Sequence, residues 1–204
     1  MEKKFELTDN FIINAFGVKL FQIKCTKSFK YAKEGDLGGY VEKDENLDQE
    51  SDAWVSGDAR VYGNAWVSGD AWVSGDAWVY GDARVYGNAR VSGNARVYGN
   101  ARVSGDAWVY GNAEVSGNAR VYGDAEIDNN NKHCGFDCFG SANRHTHAYL
   151  TKENKVEITC GCFRGSIEEF EKRVEETHSG TIYEKQYKAI IDVIKIKFGL
   201  TDLI

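Results

Sequence analysis

Six residues with metal-ligating or nucleophilic side chains fall close together: Cys134, Cys138, His145, His147, Cys160 and Cys162. They form C-x₃-C, H-x-H and C-x-C pairs. Four of them could surround a zinc ion, which takes thiolate and imidazole donors in tetrahedral sets. The spacings match no standard zinc knuckle. Residues two apart on a strand share a face, so Cys160 and Cys162 read as neighbouring ligands or as two packed free thiols beside Phe163. Apart from a structural zinc in this set, no cofactor is expected. His178, near a helix end, reads most simply as a partner of the helix dipole.

A second group is defined by repetition. From Asp52 to Gly123 the chain runs through twelve unbroken hexads of the form D/N-A-x-V-S/Y-G, followed by a decaying DAEIDN that ends at Asn129. Glycine at every sixth position would cripple a helix, and a period of six fits neither a helix nor a heptad. Within a hexad, Ala and Val sit two apart, on one face of a short strand, and the residue between them points to the other face. The Gly-Asp/Asn pair makes the corner. This is the hexapeptide β-helix pattern. The chain has 22 glycines and no proline, as a continuously paired ladder requires.

The pattern resembles the parallel β-helix of hexapeptide-repeat proteins, in which three hexads make one coil, and this implies that every eighteenth residue falls in one column. The first face then carries Trp54, Trp72, Arg90, Trp108 and Glu126; the second, Arg60, Trp78, Arg96 and Glu114 beside Tyr62, Tyr80 and Tyr98; the third, Trp66, Arg84, Arg102 and Arg120. All five tryptophans are expected to point outward, where large apolar side chains mark interfaces, so self-association as a dimer or trimer is expected. The repeat holds six arginines and no lysine, against sixteen lysines elsewhere. Arginine stacks on aromatics and binds carboxylate or phosphate through two donors. Arg84, Arg102 and Arg120 at one-coil spacing repel one another, which calls for an anionic partner or bridging corner aspartates. The same ladders also read as devices that stabilise neighbouring coils.

Other elements must position these groups. Residues 1–51 read as an N-terminal β cap and lead-in, 52–129 as the β-helix of about four coils, 130–144 as a connector, and 145–204 as a C-terminal α+β module. In that module His147–Leu150 and Lys155–Cys160 read as strands. Ser166 and Glu169 form a capping box that opens one helix, and Tyr183, Tyr187, Ile190, Ile191, Ile194 and Phe198 fall on one stripe of a second. The fold class is mainly β.

Composition narrows the function classes. At 42% apolar and 13% aromatic the chain is too hydrophobic to be disordered. With 25 basic against 31 acidic residues, net −6, it has no global field for nucleic acid or anionic membrane, so any anion site is local. Neither a signal peptide nor a membrane span is read. The odd count of five cysteines argues against a secreted disulfide framework. A cytoplasmic protein with reduced thiols is expected.

The N-terminal strands, the GDLGGYVEKDENL lead-in at Gly35–Leu47, the D/N-A-x-V-x-G array and the CGCFRGSIEEFEKRVEETH segment at Cys160–His178 together resemble a family of phage and prophage hexapeptide-repeat proteins. The resemblance implies a left-handed coil and a mobile-element origin. Some members carry an acetyltransferase label, but residues 52–129 lack the histidine and inserted loop that hexapeptide acyltransferases use, and lack the three histidines of a γ-class carbonic anhydrase. The expected function is therefore non-enzymatic binding. One form is inhibition of a host anti-phage defence protein, such as a CRISPR effector, through the faces bearing Arg84, Arg102, Arg120, Trp66, Arg90, Trp72, Trp108, Trp78, Tyr80, Arg96 and Tyr98. The alternative is an oligomeric sponge for a small anionic ligand such as a cyclic nucleotide.

Overall fold

The computed structural model describes residues 3–200; residues 1–2 and 201–204, at the ends of the first and last segments, lie outside it. The hexads form thirteen two-residue strands, β4 (Trp54–Val55) through β16 (Glu126–Ile127). Each of the first ten pairs in parallel with the strand eighteen residues on, for example Arg84↔Arg102 and Arg102↔Arg120. The first face stacks five of these strands, and the third stacks four. The interior is a column of fully buried Ala and Val, closed by Ile127 and Tyr149 at one end and by Val41 and Leu47 at the other.

The corners explain the glycines. Gly57 to Gly123 all hold φ between +62° and +72°, a region that costs other L-residues roughly 1–2 kcal/mol. They also stack backbone on backbone. A Cβ on Gly69 would lie 2.9 Å from the Gly87 nitrogen, in the corner where the Asp70 N–H donates to Gly87 O at 2.8 Å. The corner side chains form their own rungs, Asn64 to Asp82 at 3.0 Å and Asn88 to Asp106 at 2.9 Å.

The N-terminal segment does more than cap. Strands β1 (Phe5–Ile13) and β2 (Lys19–Cys25) form a hairpin, and β3 (Leu37–Val41) joins it to the second face, giving a seven-stranded sheet. Val41 pairs with Val61 and Leu47 bridges to Val67, both across twenty residues. The lead-in is thus an irregular first coil, and the β-helix has about five turns instead of the four counted from hexads. The buried Asn46 amide donates to Gly63 O and Ala65 O, and Lys4 Nζ donates to Ser51 O and Ala53 O, satisfying carbonyls of the coils they lie against.

The segment read as a connector contains a strand. β17 (His133–Phe139) pairs antiparallel with β18 (Arg144–Leu150), which pairs with β19 (Val156–Cys160) and that with β20 (Phe163–Gly165). Its irregular sequence hid it: Gly135 interrupts the side-chain pattern and the pairing shifts register between Phe136 and Phe139. Helices α1 (Ile167–His178) and α2 (Ile182–Lys197) cover one face of this sheet. The Ser166/Glu169 capping box forms as expected. Ile158, Phe170, Val174, Tyr187, Ile190, Ile191 and Ile194 make the buried core. The other face of the sheet closes the last coil: Tyr149 Oη accepts the Tyr122 N–H at 3.2 Å, and Thr159 Oγ1 donates to Arg120 O at 3.1 Å. None of the described helices is long and apolar enough to cross a membrane.

Candidate functional site

The eighteen-residue columns form as expected, but their environments differ. On the second face Arg60 and Arg96 sandwich Trp78 at 5.0 and 5.1 Å, Arg96 pairs with Glu114 at 3.5 Å, and Tyr62, Tyr80 and Tyr98 stack at 5.0 Å, nearly parallel. Burial raises the Tyr80 hydroxyl, and it raises that of Tyr62 to about 12. This face is a stacked and ion-paired ladder, in which Arg60 Nε and Tyr62 Oη are buried without a hydrogen-bond partner among the described residues.

The first face corrects the expectation of five outward tryptophans. Trp54 is only 2% exposed, with Phe29 edge-on at 5.4 Å, and Tyr31 stacks on Trp72 at 5.7 Å. The Lys30–Asp70 pair, 2.9 Å, and the Tyr31 hydroxyl donating to Asp70 O pin this cover in place. The two tryptophans serve as a seat for the chain's own N-terminal segment. Trp72 Nε1 also donates to Ser56 Oγ at 2.8 Å, and Trp108 packs on Tyr110 at 4.5 Å. Trp66, at 41%, and Trp108, at 36%, are the most exposed of the five.

The third face is different. Arg84, Arg102 and Arg120 lie in direct register. Unit charges at a strand spacing of about 4.8 Å repel by on the order of 1 kcal/mol even in water. Among the described residues, no carboxylate lies within 4 Å of Arg84, Arg90, Arg102 or Arg120. The corner aspartates do not bridge them, because Asp82 and Asp106 are engaged by asparagine amides.

The column ends at the C-terminal module. Arg120 Nη1 donates to Gly161 O at 2.8 Å, in the tight turn between β19 and β20 where Gly161 holds φ +61°. A Cβ at Gly161 would lie 2.6 Å from Arg144 Nη1, so Arg144 packs directly on the same turn. Beside it lies a cleft of about 150 Å³ lined by Arg144, Cys162, Phe163, Arg173, His178 and Tyr187. His178 stacks on Tyr187 at 5.5 Å; it belongs to the cleft wall as well as to the end of α1. Burial pushes Tyr187 up to about 12, so its hydroxyl is a neutral hydrogen-bonding group at pH 7. Arg144 and Arg173 were missed from the sequence because no repeat marks them; the glycine between two cysteines was the available signal of a turn that admits a guanidinium.

A family model describing the YdcK β-solenoid repeat matches residues 53–69, 83–97 and 95–111. The hexads form a β-solenoid repeat. The matched segments all lie within the hexads and include Trp66, Arg84, Arg102 and Trp108, while the N-terminal segment and the C-terminal module fall outside them. A search of the curated proteins finds no match to the chain.

The proposed zinc set is divided by the sheet that follows the solenoid. Strand alternation sends Cys134 and Cys160 toward the helices, where Cys160 Sγ lies 3.8 Å from Tyr187 Oη. It sends His145 and His147 to the opposite face, toward the solenoid. Cys138 and Cys162 are exposed, Cys138 at a bulge with φ +64° and Cys162 in the hairpin turn. Cys160 and Cys162 do not share a strand face, because β19 ends at Cys160. The residue that does meet the histidines is His133, whose Nδ1 lies 3.0 Å from His147 Nε2. Burial lowers His133 to about 4 and His147 to about 3, so both imidazoles are neutral at pH 7.

Proposed function

We propose that this protein acts by binding, without catalysis, and that its third solenoid face together with the adjoining cleft recognises an anionic partner. The observation that carries this reading is the aligned column Arg84–Arg102–Arg120 with no carboxylate within reach among the described residues. It runs into a turn on which Arg144 packs, beside a cleft also lined by Arg173, whose Nε lies 3.8 Å from Glu176. Forked guanidinium donors in a row suit carboxylates or phosphates held on a partner surface.

The partner we favour is an acidic surface on a host defence protein, in line with the resemblance to phage hexapeptide-repeat proteins, which also carries the left-handed sense of the coil; the cytoplasmic location we propose rests on the odd count of five cysteines. Self-association remains part of the proposal on a narrower basis, since Trp66 and Trp108 are the tryptophans left most open. The test is affinity capture from host-cell lysate with the wild type and an Arg84→Ala/Arg102→Ala variant. Partners lost with the variant support the reading, and unchanged capture removes the third face as the site. Titration of the purified protein with cyclic dinucleotides distinguishes the sponge: binding without any protein partner would favour it.

A further inference from the structure

We propose that His133, His145 and His147 form a three-histidine site for a divalent transition-metal ion, of which zinc fits best, at the seam between the last solenoid coil and the C-terminal sheet. The argument begins with where each imidazole proton must be. His147 Nδ1 faces the carbonyl oxygen of Arg120 at 3.3 Å, which can only accept, so the proton is on Nδ1 and Nε2 carries the lone pair. His133 Nε2 faces Asn130 Oδ1 at 3.4 Å, and that oxygen already accepts the Glu114 N–H at 2.8 Å. Without a metal the closer contact decides the tautomer: His133 Nδ1–H donates to the His147 Nε2 lone pair at 3.0 Å. His145 Nδ1 faces the Asp137 carboxylate at 2.7 Å, so its Nε2 also carries a lone pair.

Two N–H groups are thus held by a carbonyl and a carboxylate, the arrangement that orients metal-ligating histidines, and Asn130 Oδ1 stands within reach of a third, on His133 Nε2. The proton shared between His133 Nδ1 and His147 Nε2 at 3.0 Å is the one a metal ion would displace. Two ligands of a tetrahedral zinc with bonds near 2.0–2.1 Å stand about 3.3 Å apart. A metal ion takes the place of that proton, which passes to His133 Nε2, where Asn130 Oδ1 accepts it. The His145 side chain is only 10% exposed, and its Nε2 is buried with no hydrogen-bond partner.

Gly135 makes room for the third ring. A Cβ there would lie 2.6 Å from His145 Cε1, 2.9 Å from its Nε2 and 3.6 Å from His147 Cδ2, so the edges of both rings meet over a residue with no side chain. His145 and His147 ring centroids are 5.7 Å apart, and those of His133 and His147 5.2 Å. In their present positions no three donor side chains among the described residues meet at one point. Movement of the His145 ring over Gly135 supplies the third ligand. Neutral imidazoles select zinc, nickel, cobalt or copper over magnesium or calcium. With His147 held to the last coil through Arg120, the ion would clamp the C-terminal sheet onto the solenoid.

The test uses untagged full-length protein stripped with chelator and titrated with Zn²⁺ and with Co²⁺. One equivalent should bind, and the cobalt form should show d–d bands without a thiolate-to-cobalt charge-transfer band. Zinc affinity should fall roughly tenfold or more in His133→Ala, which removes a partly buried ring, and about 10–100-fold in Asp137→Asn, while Cys134→Ser/Cys160→Ser leaves it unchanged. Absence of stoichiometric uptake by the wild type overturns the proposal. So does a cobalt–thiolate band, or zinc binding that survives His133→Ala.

Discussion

The Arg120 guanidinium donates through Nη1 to the Gly161 carbonyl oxygen at 2.8 Å, joining the last arginine of a solenoid column to the turn that forms the edge of the C-terminal cleft. Arg120 is therefore structural in a way that Arg84 and Arg102 are not, although all three occupy equivalent hexad positions.

The three arginines should separate in a stability assay. Arg120→Ala removes a charge-assisted hydrogen bond across the seam and is expected to cost about 1–2 kcal/mol. Arg84→Ala and Arg102→Ala lose no carboxylate partner and relieve like-charge repulsion, so each should lie within about 0.5 kcal/mol of the wild type. Urea denaturation of the three variants measures the difference. Equal costs at all three positions would mean that the tie to Gly161 contributes nothing.

Corner glycines should tolerate substitution far worse than a glycine at a helix end. Gly87→Ala combines φ +68° with a Cβ 3.0 Å from the Gly105 nitrogen, and is expected to cost roughly 2 kcal/mol or more. Gly180→Ala has φ +74° but nothing within 4 Å, and should cost about 1 kcal/mol. Thermal melts of the two variants give the ranking directly.

Tryptophan accessibility should divide by cover. In single-tryptophan variants, fluorescence of Trp54 is expected to resist iodide quenching because Phe29 and its neighbours bury it, whereas Trp66 and Trp108 should be quenched. If self-association uses these two, quenching should fall as protein concentration rises through the micromolar range. Light scattering of Trp66→Ser and Trp108→Ser should then report a lower mass than the wild type. A wild type that stays monomeric removes the oligomer from the proposal.

Lys4 should confer an alkaline rise in stability. Burial lowers its folded-state pKa from 10.5 to about 8. Between pH 8 and 10.5 the unfolded chain holds the proton and the folded chain does not, so the contribution of Lys4 grows with pH across that window, by at most ~3 kcal/mol. Below pH 8 both states are protonated and the folded state bears the burial penalty in full. Denaturation midpoints of wild type and Lys4→Met, compared at pH 7.5 and 9.5, should diverge in favour of the wild type as pH rises.

Much of the fold was legible from residue spacing. Ala and Val two apart and glycine every sixth residue determine a short strand and a corner, and the three hexads per coil implied by the resemblance to hexapeptide-repeat proteins give the eighteen-residue register seen in Arg90↔Trp108. The caps of α1 and its buried face, Ile167, Phe170 and Val174, followed from Ser166, Glu169 and the helical period. The extra coil did not. Val41 and Leu47 stack on Val61 and Val67 across twenty residues instead of eighteen, and an irregular period leaves no trace in a repeat count.

The candidate sites were less legible. The arginine and aromatic columns were placed correctly, but their chemistry depended on neighbours from other parts of the chain. Trp72 met Tyr31 and Arg120 met Gly161, whereas Trp78 between Arg60 and Arg96 followed from the column itself. Cys134, Cys160, His145 and His147 looked like one ligand set because they are close in sequence. The alternation of β17, β18 and β19 sends thiols and imidazoles to opposite faces.

By itself, then, the sequence determined the repeating coil, because that geometry is set by backbone dihedrals and nearest-neighbour pairing that every hexad restates. Only the tertiary structure decided which tryptophans are covered, which described arginines lack a carboxylate partner, and that His133 meets His147. Those outcomes depend on how non-repeating segments pack against the coil, and packing between residues distant in sequence carries no period from which it can be read.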